Sequence, residues 1–138
     1  ALAAAVTFGQ AENPLEIALQ LGPAKAEGKK RSGQSVPLAV GIPLRFVTLV
    51  PEGELRRGRV SVRVAIQDAR GRMLESSAAI VPIVVPNDQM AKAMAGSWYH
   101  RAEMRLAPGH QRVAVVVVDE VSGLQSTTFA EIEIPGKK

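Results

Sequence analysis

The sequence predicts an all-β fold, an antiparallel sandwich of about seven strands with one short helix near residues 88–95, and three observations predict it. Apolar residues recur at every second position in segment after segment, the period of a strand buried on one face. Glycine, proline, asparagine and aspartate cluster between those segments, where the chain must reverse. The apolar residues themselves are mostly Val, Ile, Leu and Ala, with only five aromatics, Phe8, Phe46, Trp98, Tyr99 and Phe129; such a set suits closely packed strands better than a pocket for a flat cofactor.

Residues 1–12 are Ala-rich and read as a weakly helical N-terminal extension, ended by Asn13-Pro14. From Leu15 to Leu21 the odd positions are apolar, which predicts a strand. Residues 22–35, rich in Gly, Lys, Ala and Ser, read as a mobile loop. From Val36 to Phe46 the even positions are apolar, but Pro37 and Pro43 each remove a backbone donor, so this strand is expected at a protected edge or bent at a bulge near Pro43. Pro51-Glu52-Gly53 predicts a turn. Val60, Val62, Val64 and Ile66 alternate with polar residues in the next strand. Asp68-Ala69-Arg70-Gly71 has the chemistry of a hairpin turn, since Asp bonds to nearby backbone and Gly supplies positive φ. The return strand spans residues 73–85. Asn87 or Asp88 is placed to cap a helical turn that runs through Ala95 and closes at Gly96. In the strand beginning at Trp98, residues 98, 100, 102, 104 and 106 share one face. That parity sends Trp98 inward and Tyr99 outward. After Pro108-Gly109, Val113–Val118 is apolar at every position, which predicts a central strand. A turn at Asp119–Gly123 leads to the last strand, Thr127–Ile134. Strands of this spacing imply two sheets with Greek-key connections of the immunoglobulin-like kind, in one domain over residues 13–138.

The 138 residues suffice for one core without staples. The absence of cysteine excludes disulfides, Cys-ligated zinc and thiol catalysis, and no run has the roughly 20 apolar residues needed to span a bilayer. The chain starts at Ala1, and ALAAAV is too short and uncharged for a signal peptide, so the sequence reads as a piece of a longer protein. The net charge of +4 is expected to sit on a solvated surface. Arg59, Arg63 and Arg112 are expected to pair with Glu131 and Glu133 across one sheet face, and Arg101 and Arg105 bracket Glu103. Two basic clusters remain, Lys29-Lys30-Arg31 and Arg56-Arg57, in loop-like sequence where an anionic partner could be held. Nucleic-acid binding is not expected, because exposed stacking aromatics do not accompany the charge.

No catalytic constellation stands out, and no cofactor is expected. His100 shares strand parity with Trp98 and Met104 and reads as a partly buried, hydrogen-bonded residue; His110 reads as an exposed turn residue. Two histidines without further ligands do not make a zinc site. The serines lack a Gly-x-Ser-x-Gly elbow, the glycine-rich stretches lack Walker spacing, and no acidic pair is singled out for glycoside hydrolysis. Asp68, Asp88, Asp119 and Glu120 stand at strand ends, where turn chemistry accounts for them better than calcium does. Tyr99, with Arg101 and Arg105 beside it, is the expected protein-contact surface, because Tyr and Arg are enriched at interfaces.

The segment MRLAPGHQRVAVVVVDE (104–120) combines an apolar strand end, Pro-Gly and an alternating strand that ends at an Asp turn. With NPLEIALQL (13–21), IPLRFVTLVPEGE (42–54), RGRVSVRVAIQDARGR (57–72) and VPIVVPND (81–88) upstream, the ordered set resembles the C-terminal immunoglobulin-like domain of bacterial VWFA-related proteins of the acidobacterial type. In that family a von Willebrand factor A domain precedes a β-rich tail. The resemblance runs from about Asn13 to Pro135 and implies an exported or cell-surface protein. The Asp-x-Ser-x-Ser signature of the A domain is absent, so its metal site does not carry over. A tyrosine that braces the turn before the sixth strand in many such domains is also absent, since His110 and Gln111 follow Pro108-Gly109; Gln111 could supply the bracing hydrogen bond.

The expected function is accordingly a non-enzymatic accessory or protein-interaction module. Its partner would be a neighbouring domain of the same chain or another protein, in an extracytoplasmic setting. The alternative is a carbohydrate- or ligand-binding sandwich appended to an extracellular enzyme.

Overall fold

The computed structural model describes residues 12–23, 25–26 and 34–135. The expected N-terminal extension up to residue 11 and most of the expected 22–35 loop lie outside them. The elements are β1 (Ala18–Leu21), β2 (Lys25–Ala26), β3 (Gln34–Pro43), β4 (Val50–Glu52), β5 (Leu55–Gln67), β6 (Met73–Pro86), α1 (Met90–Met94), β7 (Ser97–Leu106), β8 (Gly109–Asp119) and β9 (Gln125–Ile134). They form an antiparallel β-sandwich of the immunoglobulin-like type. In the first sheet β3 pairs with β7 on one side and with β1 and β2 on the other; in the second, β5 pairs with β6 along its whole length, while β4 and β8 share its other side and β9 follows β8. The strands beyond the expected seven are β2 and β4, pieces of two and three residues.

Alternation decides what is buried. Val36, Leu38, Val40 and Ile42 of β3, Val60, Val62 and Val64 of β5, Val113, Val115 and Val117 of β8, and Met104 and Leu106 of β7 are almost wholly withdrawn from solvent and form one core. β8 is a central strand, as its all-apolar run predicts. Its outward residues Ala114 and Val116 are buried too, in a small second cluster with Met73, Val118 and Phe129.

Three expectations, two about strands and one about the helix, need correction. The first strand begins at Ala18 rather than Leu15, because Glu16 takes a positive φ of 56° and Asn13 brackets Ile17 with its side chain, accepting from Ile17 N–H (2.8 Å) and donating to Ile17 O (2.9 Å). The proline-marked strand β3 is the middle of its sheet, not an edge. The carbonyl of Pro37 accepts from Gly22 N–H (2.9 Å), so its missing donor faces the gap between β1 and β2, where that neighbouring strand is already interrupted. Neither Asn87 nor Asp88 caps the helix. The helical segment opens with a short 3-10 turn (Asn87–Gln89), and the Asn87 amide donates instead to Gly53 O (3.2 Å).

Two side chains fasten the ends of the sandwich. Asp119, fully buried, accepts from Val121 N–H (2.9 Å) and Ser122 N–H (3.2 Å) through Oδ1 and from Thr48 N–H (2.7 Å) through Oδ2. It therefore shapes the β8–β9 turn and ties it to the β3–β4 connection 71 residues away in sequence. Gln111 is 1% exposed, and its Nε2 donates to Ala107 O (2.9 Å), the bracing bond expected in place of the missing tyrosine.

Removing the Asp119 carboxylate strands three backbone donors, so Asp119→Ala is expected to cost about 3 kcal/mol by urea denaturation. His100 supplies a pH-dependent term. Half-buried on the inner side of β7 and stacked on Trp98 with ring centroids 6.2 Å apart, it has a pKa pushed below the ordinary 6.5 by burial; among the described residues its ring has no hydrogen-bond partner. The folded state thus prefers the neutral ring, and this contribution is complete above the unfolded pKa and lost as pH falls through the lowered one. The urea midpoint is expected to drop as pH falls below the ordinary histidine value of about 6.5, and to drop less in His100→Gln.

Candidate functional site

The outer face of the first sheet is a groove, and strand register makes it. On β3 the outward residues are Pro37, Ala39 and Gly41, all short. Their partners on β7 are Glu103, Arg101 and Tyr99, all long. On the opposite side Ala39 pairs with Gln20 and Gly41 with Ala18, and the backbone of Gly22 lies beside Pro37. A floor of small residues, walled by the long side chains of β7 on one side and by Gln20 on the other, leaves an open hollow of about 840 Å³, whose lining includes Gln20, Gly22, Pro37, Ala39, Arg101 and Glu103.

Tyr99, the next outward residue of β7 beyond Arg101, lies outside that lining; it is 52% exposed, with its ring laid across Gly41. A β-carbon on residue 41 would stand 2.9 Å from Tyr99 Cε1, so the ring rests where it does because position 41 has no side chain. The Arg101 guanidinium lies 5.6 Å from the ring centroid, within cation–π range. Glu103 is held by Ser35, whose Oγ donates to Oε1 (2.7 Å). Arg105, opposite Ser35, continues the row on β7 beyond the hollow. Tyr99, Arg101 and Arg105 thus share one exposed strip of β7, with Trp98 packed against the core on the other side.

The basic clusters fare differently. Lys29, Lys30 and Arg31 lie outside the described residues. Arg56 and Arg57 are on strand β5, not in a loop, and alternation sends them to opposite faces. Arg57 points outward and pairs with Glu52, whereas Arg56 shares the inner side with its partner Val85 and has a buried Nε without a hydrogen-bond partner. They do not form one anionic site. Of the expected cross-sheet pairs, Arg112–Glu131 forms (3.1 Å), while β8 stands between β9 and Arg59 and Arg63 of β5. The exposed His110 ring lies 3.0 Å from Glu131 and 3.4 Å from Glu133.

Among the described residues, no group of three or more His, Asp or Glu is arranged to hold a metal, and no helix is long and apolar enough to cross a membrane. Asp119 and Asp68 serve turns: Asp68 Oδ1 accepts from Arg70 and Arg72 N–H (2.9 Å each), and these bonds, Arg72 foremost, hold its carboxyl below the ordinary carboxylate range. The groove escaped the sequence reading because its floor and wall come from segments some 60 residues apart, whose register sequence does not disclose.

No family model matches the chain, and no curated protein does. Solved structures of similar shape include a Bacteroides uniformis β-glucuronidase (10% identity, TM-score 0.48, covering 86% of this chain and 13% of that one). A Listeria innocua β-glucosidase in complex with isofagomine is similar at 14% identity and TM-score 0.45, covering 88% and 16%. A Northeast Structural Genomics Consortium target is similar at 12% identity and TM-score 0.45, covering 87% and 86%. The chain spans only 13–16% of the length of these two glycosidases. At these identities the likeness is one of fold. The expected kinship with VWFA-related proteins is not upheld: no family model matches the chain, and the similar solved structures named here are two glycosidases and a structural-genomics target, so the inferences of a preceding A domain and an exported protein lose the resemblance on which they rested.

Proposed function

We propose that the chain is a non-catalytic binding module of a larger protein, and that its ligand is a saccharide held in the groove on the outer face of the first sheet. The observation that carries this reading is the Tyr99 ring lying on Gly41 beside a shallow hollow edged by Arg101, Glu103 and Gln20. A sugar ring offers an apolar C–H face and a rim of hydroxyls. An exposed aromatic can take the face, while planar guanidinium, carboxylate and amide groups exchange hydrogen bonds with the rim. Among the described lining residues Glu103 is the one carboxylate, whereas glycoside hydrolysis ordinarily takes two, roughly 5–9.5 Å apart; the groove favours holding over cutting. An extracytoplasmic setting belongs to this proposal, since saccharide polymers are met chiefly there.

A second reading is favoured by the row Tyr99, Arg101 and Arg105 along β7. That row continues past the groove and would suit contact with a protein surface. Binding to a glycan array separates the two. The wild-type chain is expected to retain a restricted set of oligosaccharides, with affinity reduced about tenfold or more in Tyr99→Ala. Gly41→Ala, which displaces the ring without removing it, should reduce binding in the same direction. Array binding that ignores both changes, or none at all, rejects the saccharide reading.

A further inference from the structure

A second outward surface, on the other sheet, carries an inference of its own. Register places Val50 of β4, Arg57 of β5 and Val84 of β6 in one row across the outer face of the second sheet. Pro82 stands beside Arg59, and Ile80 beside Ser61. Ile80 is 66% exposed, Val50 46% and Val84 45%. The β8–β9 turn at the same end adds Val121 and Leu124, also exposed; Glu120 N–H donates to Arg59 O (2.8 Å), and Asp119 ties this turn to Thr48. Five of the seven large exposed apolar side chains among the described residues therefore lie on this one sheet, from its middle to the turn at one end, and such gatherings on a protein surface mark contact sites.

The chemistry of the surface selects its occupant. Arg57 and Arg59 rise from the middle of the apolar row; Arg57 already faces Glu52, while Arg59 has no carboxylate partner among the described residues. Burying the row would strand Arg59 unless the occupant brought a negative charge. A second copy of this chain is disfavoured, because face-to-face stacking would bring arginine toward arginine. Strand addition at the open side of β6 is disfavoured as well. Pro82 pairs with Arg59 and Pro86 with Leu55, and neither proline has an N–H, so in this register the missing donors face the open edge.

We propose that this face docks a partner protein whose surface presents apolar side chains around a carboxylate that meets Arg59. The contact is made by the flat of the sheet, not by its edge, and it leaves the groove on the opposite sheet open.

The test uses the chain itself as bait for a displayed library of random peptides of about twelve residues. Enriched peptides are expected to combine Asp or Glu with Leu, Ile or Val, and to lose about tenfold or more of their affinity for Ile80→Glu and for Arg59→Glu, while binding Tyr99→Ala as before. Both substituted side chains are exposed, and an unchanged thermal unfolding midpoint confirms that the variants fold. Enrichment without acidic residues, or binding indifferent to positions 59 and 80, overturns the proposal. So does sedimentation showing a dimer that Ile80→Glu dissolves, or binding to phosphatidylglycerol vesicles that Arg59→Glu abolishes.

Discussion

The two-residue period of the strands, imposed on two sheets that share one core, constrains everything else in this molecule. Each long strand must give one set of side chains to the interior. The sequence supplies Val, Leu and Ile there with few exceptions, and the outward set is left free to differ from sheet to sheet. Because register couples neighbouring strands, the outward sets do not vary singly; they are aligned across β3 and β7 on one face and across β4, β5 and β6 on the other. A slip of one residue would carry a strand's inward valines to the surface, so the burial that holds the fold also fixes the pattern of both faces. Asp119 and Gln111 then lock the ends, where alternation alone would leave turns free to shift.

The two faces differ in physical kind. On the first sheet, short residues on the central strand and long polar ones on its neighbour make a hollow, and the exposed Tyr99 ring follows on the same strand face, the arrangement proposed to hold a saccharide. On the second, exposed apolar side chains project around arginines, the pattern proposed to meet another protein surface. Their placement on opposite sides of the sandwich would let the proposed ligand and the proposed partner be held together.

Local rules made much of this legible in the sequence. Alternation found the seven principal strands, Asp-Ala-Arg-Gly and Pro-Gly found their turns, and parity sent Trp98 inward and Tyr99 outward. Where local rules competed with tertiary pairing, they misled. Pro37 reads as an edge residue, yet it sits mid-sheet because its missing donor meets a break in the neighbouring strand. Arg56 and Arg57 read as one cluster until strand pairing extends over them and separates them by face. Asn87 has cap chemistry but is drawn to Gly53, a partner 34 residues away. The family resemblance rested on an ordered set of such local patterns, which many sandwiches share; that is why it identified the architecture and not the kin. The groove and the apolar face both depend on pairs far apart in sequence, and those no local reading supplies.

The central claim is that a saccharide is held on the outer face of the first sheet and nowhere else on the module. Amide and methyl chemical-shift mapping of the isotope-labelled chain, titrated with the oligosaccharide it prefers, tests this most directly. The account predicts perturbations that cluster at residues 37–41 and 99–103 and saturate together, with Ile80, Val84 and Val50 unmoved. Shifts centred on the β4–β5–β6 face, or spread over both faces without saturation, would contradict it.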